Sequence, residues 1–268
     1  MHPPANDRVN LELLLPEIIT VADEASRIIL EVYDDPHFTV SFKDDRSPLT
    51  LADARSNEHI TERLGRLTPA IPVISEESAT PPWETRRSWK RLWLLDPLDG
   101  TKEFVSRNGE FTVNIALVEN GRPILGVMAA PALKILYAAA QGLGAMKRDE
   151  QHRTAGIHVS SFHDGLVVAA SRSHDRDKMA DLLNEWKPRE VIYRGSALKM
   201  GLVAEGAAHL YPRLGPTMEW DTAAAHCILN EAGGSVTAWD GSELTYNKPD
   251  LHNPGFLAFG HPRYPVKA

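Results

Sequence analysis

From Leu11 to Val32 apolar residues return at Leu14, Leu15, Ile18, Ala22, Ala25, Ile29 and Val32, with Pro16 in the opening turn where a helix tolerates it. This spacing predicts a helix whose stripe covers a sheet. Thr39 to Lys43 alternates as a short strand does, and the polar stretch Asp44-Asp45-Arg46-Ser47-Pro48 follows. A second helix is expected from the Thr50-x-x-Asp53 capping box through Ile60 and Leu64 to Leu67. Pro72 to Ser75 reads as a strand, Pro81 to Lys90 as a loop and Arg91 to Leu95 as another strand. Phe111 to Val118, Ile124 to Ala130 and Ile135 to Ala140 alternate, and Asn120-Gly121 is a hairpin signal, so an antiparallel meander is expected.

After Gln151 the rhythm changes. Strands are expected at Leu166–Ser171, Val191–Arg194, Ala208–Pro212 and Ser235–Trp239, and helices at Asp175–Trp186, Ala197–Glu205 and Thr222–Ala232. Strands alternating with helices indicate an α/β second half behind an α+β first half, with a boundary near residue 150. Residues 1–150 would carry the antiparallel sheet and residues 151–268 the α/β part.

Composition narrows the function classes. Of 268 residues, 43% are hydrophobic and 24% charged, the balance of an ordinary globular enzyme. A formal net charge of −7 and no lysine- or arginine-rich run argue against a nucleic-acid surface. No apolar run approaches the roughly 18 residues of a membrane span, and Met1 to Asp7 lacks the regions of a signal peptide, so a cytoplasmic protein is expected. A single cysteine, Cys227, leaves no internal disulfide and suits a helix core. The 11 histidines form no HExxH motif or paired helical spacing, which gives zinc little support.

The candidate chemistry lies in Leu94-Leu95-Asp96-Pro97-Leu98-Asp99-Gly100-Thr101-Lys102-Glu103-Phe104. An apolar run ends abruptly in two acids whose relative angle Pro97 restricts, and Gly100 lets the main chain come close to a bound group. Carboxylates beside successive N–H groups suit magnesium together with a phosphate. Asp-Pro and Asp-Gly also make ordinary turns. Other acids carry equally ordinary readings: Glu76 and Glu77 as a solvated strand end, Asp53 as the capping-box acid, Asp221 as an N-cap. In the second half Ser171-Arg172-Ser173-His174 falls at the carboxyl end of a strand. Gly195-Ser196-Ala197-Leu198-Lys199 opens a helix with Ser196 as its natural N-cap.

Taken in order, Ser47-Pro48-Leu49-Thr50-Leu51-Ala52-Asp53, Ser75-Glu76-Glu77-Ser78, Asp96-Pro97-Leu98-Asp99-Gly100-Thr101 and Trp220-Asp221-Thr222-Ala223-Ala224 resemble the inositol monophosphatase superfamily of magnesium-dependent, lithium-sensitive phosphatases. Arg107 to Leu117, Ser171 to His174, Gly195 to Lys199, Leu210-Tyr211-Pro212-Arg213 and Asn253-Pro254-Gly255-Phe256 resemble its bacterial CysQ-type 3′(2′),5′-bisphosphate nucleotidase branch. The resemblance implies a layered αβαβα sandwich. It implies two or three magnesium ions on Glu76, Asp96, Asp99, Asp221 and the Leu98 carbonyl. Thr101 would orient the attacking water, Asp53 would accept its proton through Thr101 or act beside it, and Glu76 would help polarise it. The Gly100 and Thr101 amides would bind the cleaved phosphate, while Ser171, His174, Gly195, Ser196, Lys199, Arg213 and Asp221 would meet the rest of the substrate.

That substrate would be 3′-phosphoadenosine 5′-phosphate, hydrolysed to AMP in sulfur metabolism by a monomer or homodimer in the cytoplasm or peripherally on the inner membrane. Inositol phosphates, fructose bisphosphate and an inactive nucleotide-binding regulator are the alternatives. A haloacid-dehalogenase aspartyl nucleophile fits poorly, because two residues rather than one separate Asp96 from Asp99.

Overall fold

The first apolar stripe forms α1 (Leu11–Tyr33), capped by Asn10, whose Oδ1 accepts from the Leu13 amide at 3.2 Å. The computed structural model describes residues 9–35, 40–42, 48–161, 165–172 and 176–260. A short antiparallel pair, β1 (Val40–Phe42) and β2 (Pro48–Thr50), leads into α2 (Leu51–Leu67). Then come β3 (Val73–Ser75), a helical turn α3 (Trp83–Arg86) within the expected loop, β4 (Arg91–Asp99) and α4 (Thr101–Val105).

The meander follows as β5 (Thr112–Glu119), β6 (Arg122–Ala130), β7 (Ile135–Ala140), β8 (Gly144–Arg148) and β9 (Thr154–Ile157). Asn120 and Gly121 both take positive φ, 49° and 79°, as a tight hairpin requires. These strands make a seven-stranded sheet in the order β3-β4-β5-β6-β7-β8-β9, with β3 parallel to β4 and the other pairs antiparallel. β8 and β9 carry few bulky apolar side chains and were not expected, and β9 takes the sheet past residue 150.

The second half contains β10 (Val167–Ser171), α5 (Arg176–Trp186), β11 (Glu190–Arg194), α6 (Leu198–Ala204), β12 (Leu210–Arg213), β13 (Thr217–Met218), α7 (Glu219–Glu231), β14 (Ser235–Ala238), β15 (His252–Asn253) and β16 (Phe256–Phe259). β11, β10, β12, β16 and β14 form a five-stranded sheet whose first three strands are parallel.

Strand alternation sorts the side chains into two cores. Trp93, Leu95, Ile115 and Leu117 meet Ile18, Ala22, Ile60 and Leu64 of α1 and α2. Leu92, Leu94, Ala116 and Val118 face the other way, toward Met200 of α6, Ala223 and Ile228 of α7, and Ala169, Val236 and Ala258 of the second sheet. With α5 outermost, the layers run αβαβα, as the resemblance implied. No helix among the described residues is long and apolar enough to cross a membrane.

α7 lies between two sheets, and its sides are buried almost all round, so its sequence shows no polar face. Cys227 is buried on it, its thiol pushed up by burial, and His226 is driven down to about 4, so that it stays neutral beside the Tyr246 hydroxyl. Main chain meets main chain here: a methyl placed on Gly126 of β6 would lie 2.3 Å from the Ala224 carbonyl oxygen. Gly126→Ala is therefore expected to force the layer apart and destabilise the protein by about 1–3 kcal/mol, read as a lower denaturant midpoint.

Candidate active site

The site begins with an irregularity in β4. Asp96 pairs with Asn114 and Asp99 with Thr112, so β4 carries one residue more than β5 between the same two rungs. In an even strand, residues three apart point to opposite faces. The extra residue brings both acids to the α7 side and turns Leu98 back into the core shared with α1 and α2. Pro97, which cannot donate to a ladder, sits inside the bulge, and its carbonyl accepts from Ser56 Oγ of α2 at 2.9 Å. The Leu98 amide donates to Asp96 Oδ1 at 3.1 Å.

Three acids converge from separate elements. Glu76 follows the end of β3, Asp96 comes from β4 and Asp221 from the first turn of α7, with carboxylate oxygens all within 4.8 Å of one another. Burial, then repulsion from Glu76, Asp99, Asp221 and Asp53, holds the Asp96 carboxyl well above the usual range. Burial and Asp99 raise Asp221 in the same way. Asp99 is also raised by burial, although Lys199 and the Ala197 amide oppose the shift. Its Oδ2 accepts from Ala197 N at 2.8 Å and from Thr112 Oγ1 at 3.3 Å, so Asp99 adjoins the triad while also tying β4 to the start of α6.

Such a cluster fits a divalent cation on two grounds. Its donors are all oxygen, the preference of magnesium or calcium rather than zinc, and a cation would relieve the repulsion that raises these carboxyls. Asn114, the buried rung partner of Asp96, has neither amide atom in a hydrogen bond. A buried amide left so costs about 1–3 kcal/mol, and the water shell of an ion beside Asp96 offers both a donor and acceptors.

Asp53 is buried in the first turn of α2. Ser56 and Asn57 follow it on the same helical face. Ser56 holds Pro97, and Asn57 Oδ1 accepts from Ser75 Oγ at 2.7 Å, so α2 is tied to both strands that deliver metal-type ligands.

The opposite wall comes from the second half. Gly100 has φ 89°, and a methyl there would lie 2.1 Å from Ser196 Oγ, so only glycine fits on both counts. Ser196 is not the N-cap expected from the sequence. Ala197 takes that place, Ser196 adopts φ 48°, and its hydroxyl bonds to the carbonyls of Asp99 and Glu110 at 2.9 and 2.7 Å. Asp221 is likewise not an N-cap: α7 starts earlier than expected with Met218 as its cap, and Asp221 Oδ2 accepts from the Met218 amide at 2.9 Å.

Lys199 is buried beside the Ser196 carbonyl and the Tyr211 ring, and burial pulls its ammonium down to about 8 although Asp99 opposes that shift. Arg213 donates to the carbonyls of Gly215 and Pro216 at 3.2 and 3.1 Å. One cavity of about 280 Å³ is lined by Asp99, Gly100, Thr101, Ser171, Gly195, Ser196, Lys199, Arg213 and Asp221; Asp53, Glu76, Asp96 and Leu98 are not part of its lining. His174 lies outside the described residues.

A model of the inositol monophosphatase family matches residues 10–261. The chain belongs to the inositol monophosphatase family. Within it, the chain is 47% identical over 245 residues to the 3′(2′),5′-bisphosphate nucleotidase CysQ of Salmonella typhimurium, spanning 91% of this chain and 98% of that one. The protein of the same name from Escherichia coli is 46% identical over 246 residues, with the same coverage of both chains. Among solved structures, CysQ from Bacteroides thetaiotaomicron, described as a bacterial member of the family, superposes with a TM-score of 0.83 at 40% identity, covering 94% of this chain and 99% of that one. An inositol monophosphatase from Thermotoga maritima gives 0.76 at 25% identity, covering 92% and 91%.

The residues to which sequence reasoning gave no role are those around the acidic cluster and the adjoining turn: Ser56, Asn57, Thr112, Asn114 and Glu110. The spacing of Ser56 and Asn57 was a usable signal, because they extend the face of Ile60 and Leu64 toward Asp53 with polar rather than apolar groups. Glu110 is buried and accepts from Arg172 and from the Gly195 amide; the sequence marked it only as part of the Arg107–Leu117 resemblance, without a role of its own.

Lys199 makes a pH prediction. In the unfolded chain a lysine keeps its proton to about pH 10.4. Between about 8 and that value the unfolded state binds more protons, so this group's contribution makes stability rise with pH across that window. Denaturant unfolding across the window should show that slope in the wild type and a shallower one in Lys199→Met.

Proposed function

We propose that the chain is a magnesium-dependent phosphatase that hydrolyses the 3′-phosphate of 3′-phosphoadenosine 5′-phosphate, giving AMP and phosphate. The observation that carries this reading is one cavity whose lining holds Asp99, Asp221 of the acidic cluster suited to a cation, the buried Lys199 and the half-buried Arg213. A substrate with a second phosphate needs cations of its own, and a simple sugar monophosphate does not. The similarity to nucleotidases named CysQ supports the same substrate class and a place in recycling the nucleotide left by sulfur assimilation. The cytoplasmic setting expected from the sequence belongs to this reading as well.

Glu76, Asp96, Asp99, Asp221 and the Leu98 carbonyl would hold two or three magnesium ions. Bound there, magnesium supplies charge neutralisation at the phosphoryl group and a lowered pKa for water. The chain's own groups do the rest. Thr101 orients the attacking water, and Asp53, buried at the start of α2, accepts its proton with Glu76 alongside. The amides of Gly100 and Thr101 hold the phosphoryl oxygens, where the left-handed turn at Gly100 lets the backbone approach. The water oxygen bonds to phosphorus as the bond to the ribose 3′ oxygen breaks, and that oxygen leaves with a proton. Lys199, Arg213, Ser171, Gly195 and Ser196, with His174, meet the rest of the nucleotide. No phosphate passes through a side chain, and positioning with charge neutralisation carries the reaction.

Phosphate release should be measured with 3′-phosphoadenosine 5′-phosphate and with inositol 1-phosphate, in magnesium and in chelator. Release from the nucleotide in magnesium alone is expected, falling about 100-fold or more in Asp99→Asn. Calorimetric titration with magnesium should show affinity about tenfold or more weaker in Asp96→Asn. Preference for inositol phosphate would discard the nucleotide assignment, and no release from either substrate would discard the enzymatic reading.

A further inference from the structure

Glu219 is an acid that the proposed chemistry leaves unused. It opens α7, is fully buried, and stands two positions before Asp221 in the chain. Its carboxylate accepts from the Lys248 ammonium at 2.6 Å, from the Lys248 amide at 2.9 Å and from the Asn247 amide at 2.5 Å. Its own amide donates to the Leu251 carbonyl at 3.0 Å. All these partners lie on the irregular segment between β14 and β15. A buried carboxylate is costly unless charge and donors surround it, and here a single distant segment supplies both.

The rest of the first turn is tied to the chain just beyond. Asn253 Nδ2 donates to the Met218 carbonyl at 3.1 Å and to Thr222 Oγ1 at 2.9 Å, and Lys248 Nζ reaches Asn253 Oδ1 at 2.9 Å. Asp221 is enclosed by these residues. The far side of the segment is fixed by Arg86 of α3, which is buried. Its guanidinium donates to Asn247 Oδ1 at 3.0 Å and to the Pro249 carbonyl at 2.7 Å, and Asn247 Nδ2 donates back to the Arg86 carbonyl at 2.9 Å. α3 lies in the chain between Glu76 and Asp96. The segment is therefore a bridge from the helix that carries Asp221 to the stretch that joins the other two acids. The contact of Ala224 with Gly126 sets the spacing of α7 from the sheet, but one point of contact fixes a separation and not a rotation. Rotation of the first turn swings the Asp221 carboxylate toward or away from Glu76 and Asp96.

We propose that Glu219 and Lys248 are positioning residues for Asp221: their pair locks the rotation of the first turn of α7 and so sets the affinity of the acidic cluster for magnesium. The proposal rests on the reading of that cluster as a magnesium site. Neither residue belongs to the cluster or lines the cavity, so both act through Asp221.

The test is calorimetric titration of magnesium into wild type, Glu219→Gln and Lys248→Met, with denaturant unfolding of each. Both variants are expected to bind magnesium about tenfold more weakly. Bare charge predicts otherwise, since losing the Lys248 cation strengthens magnesium binding and losing the Glu219 anion weakens it. Lys248 is half-buried, and the sign of its shift decides the matter alone if Glu219→Gln does not fold. Ile18→Val, in the core between α1 and the sheet, controls for stability: it should lower the denaturant midpoint and leave magnesium affinity unchanged. Unchanged or tighter binding in Lys248→Met, or an equal loss in Ile18→Val, overturns the positioning role and leaves the magnesium site standing. Wild-type protein that takes up no magnesium overturns the metal reading and this one with it.

Discussion

Like charges brought together away from water repel, and much of this structure is arranged around that fact. Glu76, Asp96 and Asp221 come within 4.8 Å of one another, with Asp99 and Asp53 close enough to raise Asp96 further. No local sequence preference produces such a cluster. It persists because each acid is carried on an element anchored elsewhere: β3 and β4 in the seven-stranded sheet, α2 through Ser56 and Asn57, and α7 between two sheets. The core supplies the stabilisation that offsets the repulsion, and a cation turns that repulsion into binding.

The bulge in β4 gives this arrangement its geometry. Without the extra residue, Asp96 and Asp99 would stand on opposite faces of the sheet, one of them buried against α1 and α2. With it, both stand on the α7 side of the sheet, Leu98 fills the core, and Pro97 stands where its missing donor does no harm. Asp99 then serves two structures at once, because the oxygen that accepts from Ala197 ties the acidic turn to the segment bearing Ser196 and Lys199. Ser196 adds two more ties through the carbonyls of Asp99 and Glu110.

Much of this was legible in the chain. The α1 stripe, the Asn120-Gly121 hairpin and the change of rhythm in the second half rest on local periodicity, and the structure follows them closely. The acids, Gly100, Ser196 and Lys199 were visible as short segments, and Asp99, Asp221, Gly100, Ser196 and Lys199 share one cavity. Other features depended on distant partners. β8 and β9 have weak patterns of their own and are strands because β7 offers an open edge. Ser196 reads as a cap but is recruited by carbonyls 97 and 86 residues away in sequence, which place it in a left-handed turn instead. Asp221 reads as a cap because the burial of Glu219 and Trp220 in the first turn of α7 hides the true start of the helix. Glu110 lay in a segment marked by resemblance, but its role could not be read there, since it exists only where Arg172 and Gly195 meet.

The contact between Gly126 and Ala224 bears on the site from a distance. Most layers in a sandwich are separated by side chains, which can change rotamer and let the spacing breathe. Here the sheet and α7 touch main chain to main chain, and main chain in regular structure has no rotamers to change. Asp221 enters α7 less than one turn before Ala224, so its distance from Asp96 depends on a backbone-to-backbone contact and the hydrogen-bonded rungs between β4 and β6 rather than on side-chain rotamers. The acidic cluster thereby gains the stiffness of a machined spacer, and thermal motion of the surrounding side chains is poorly placed to loosen it.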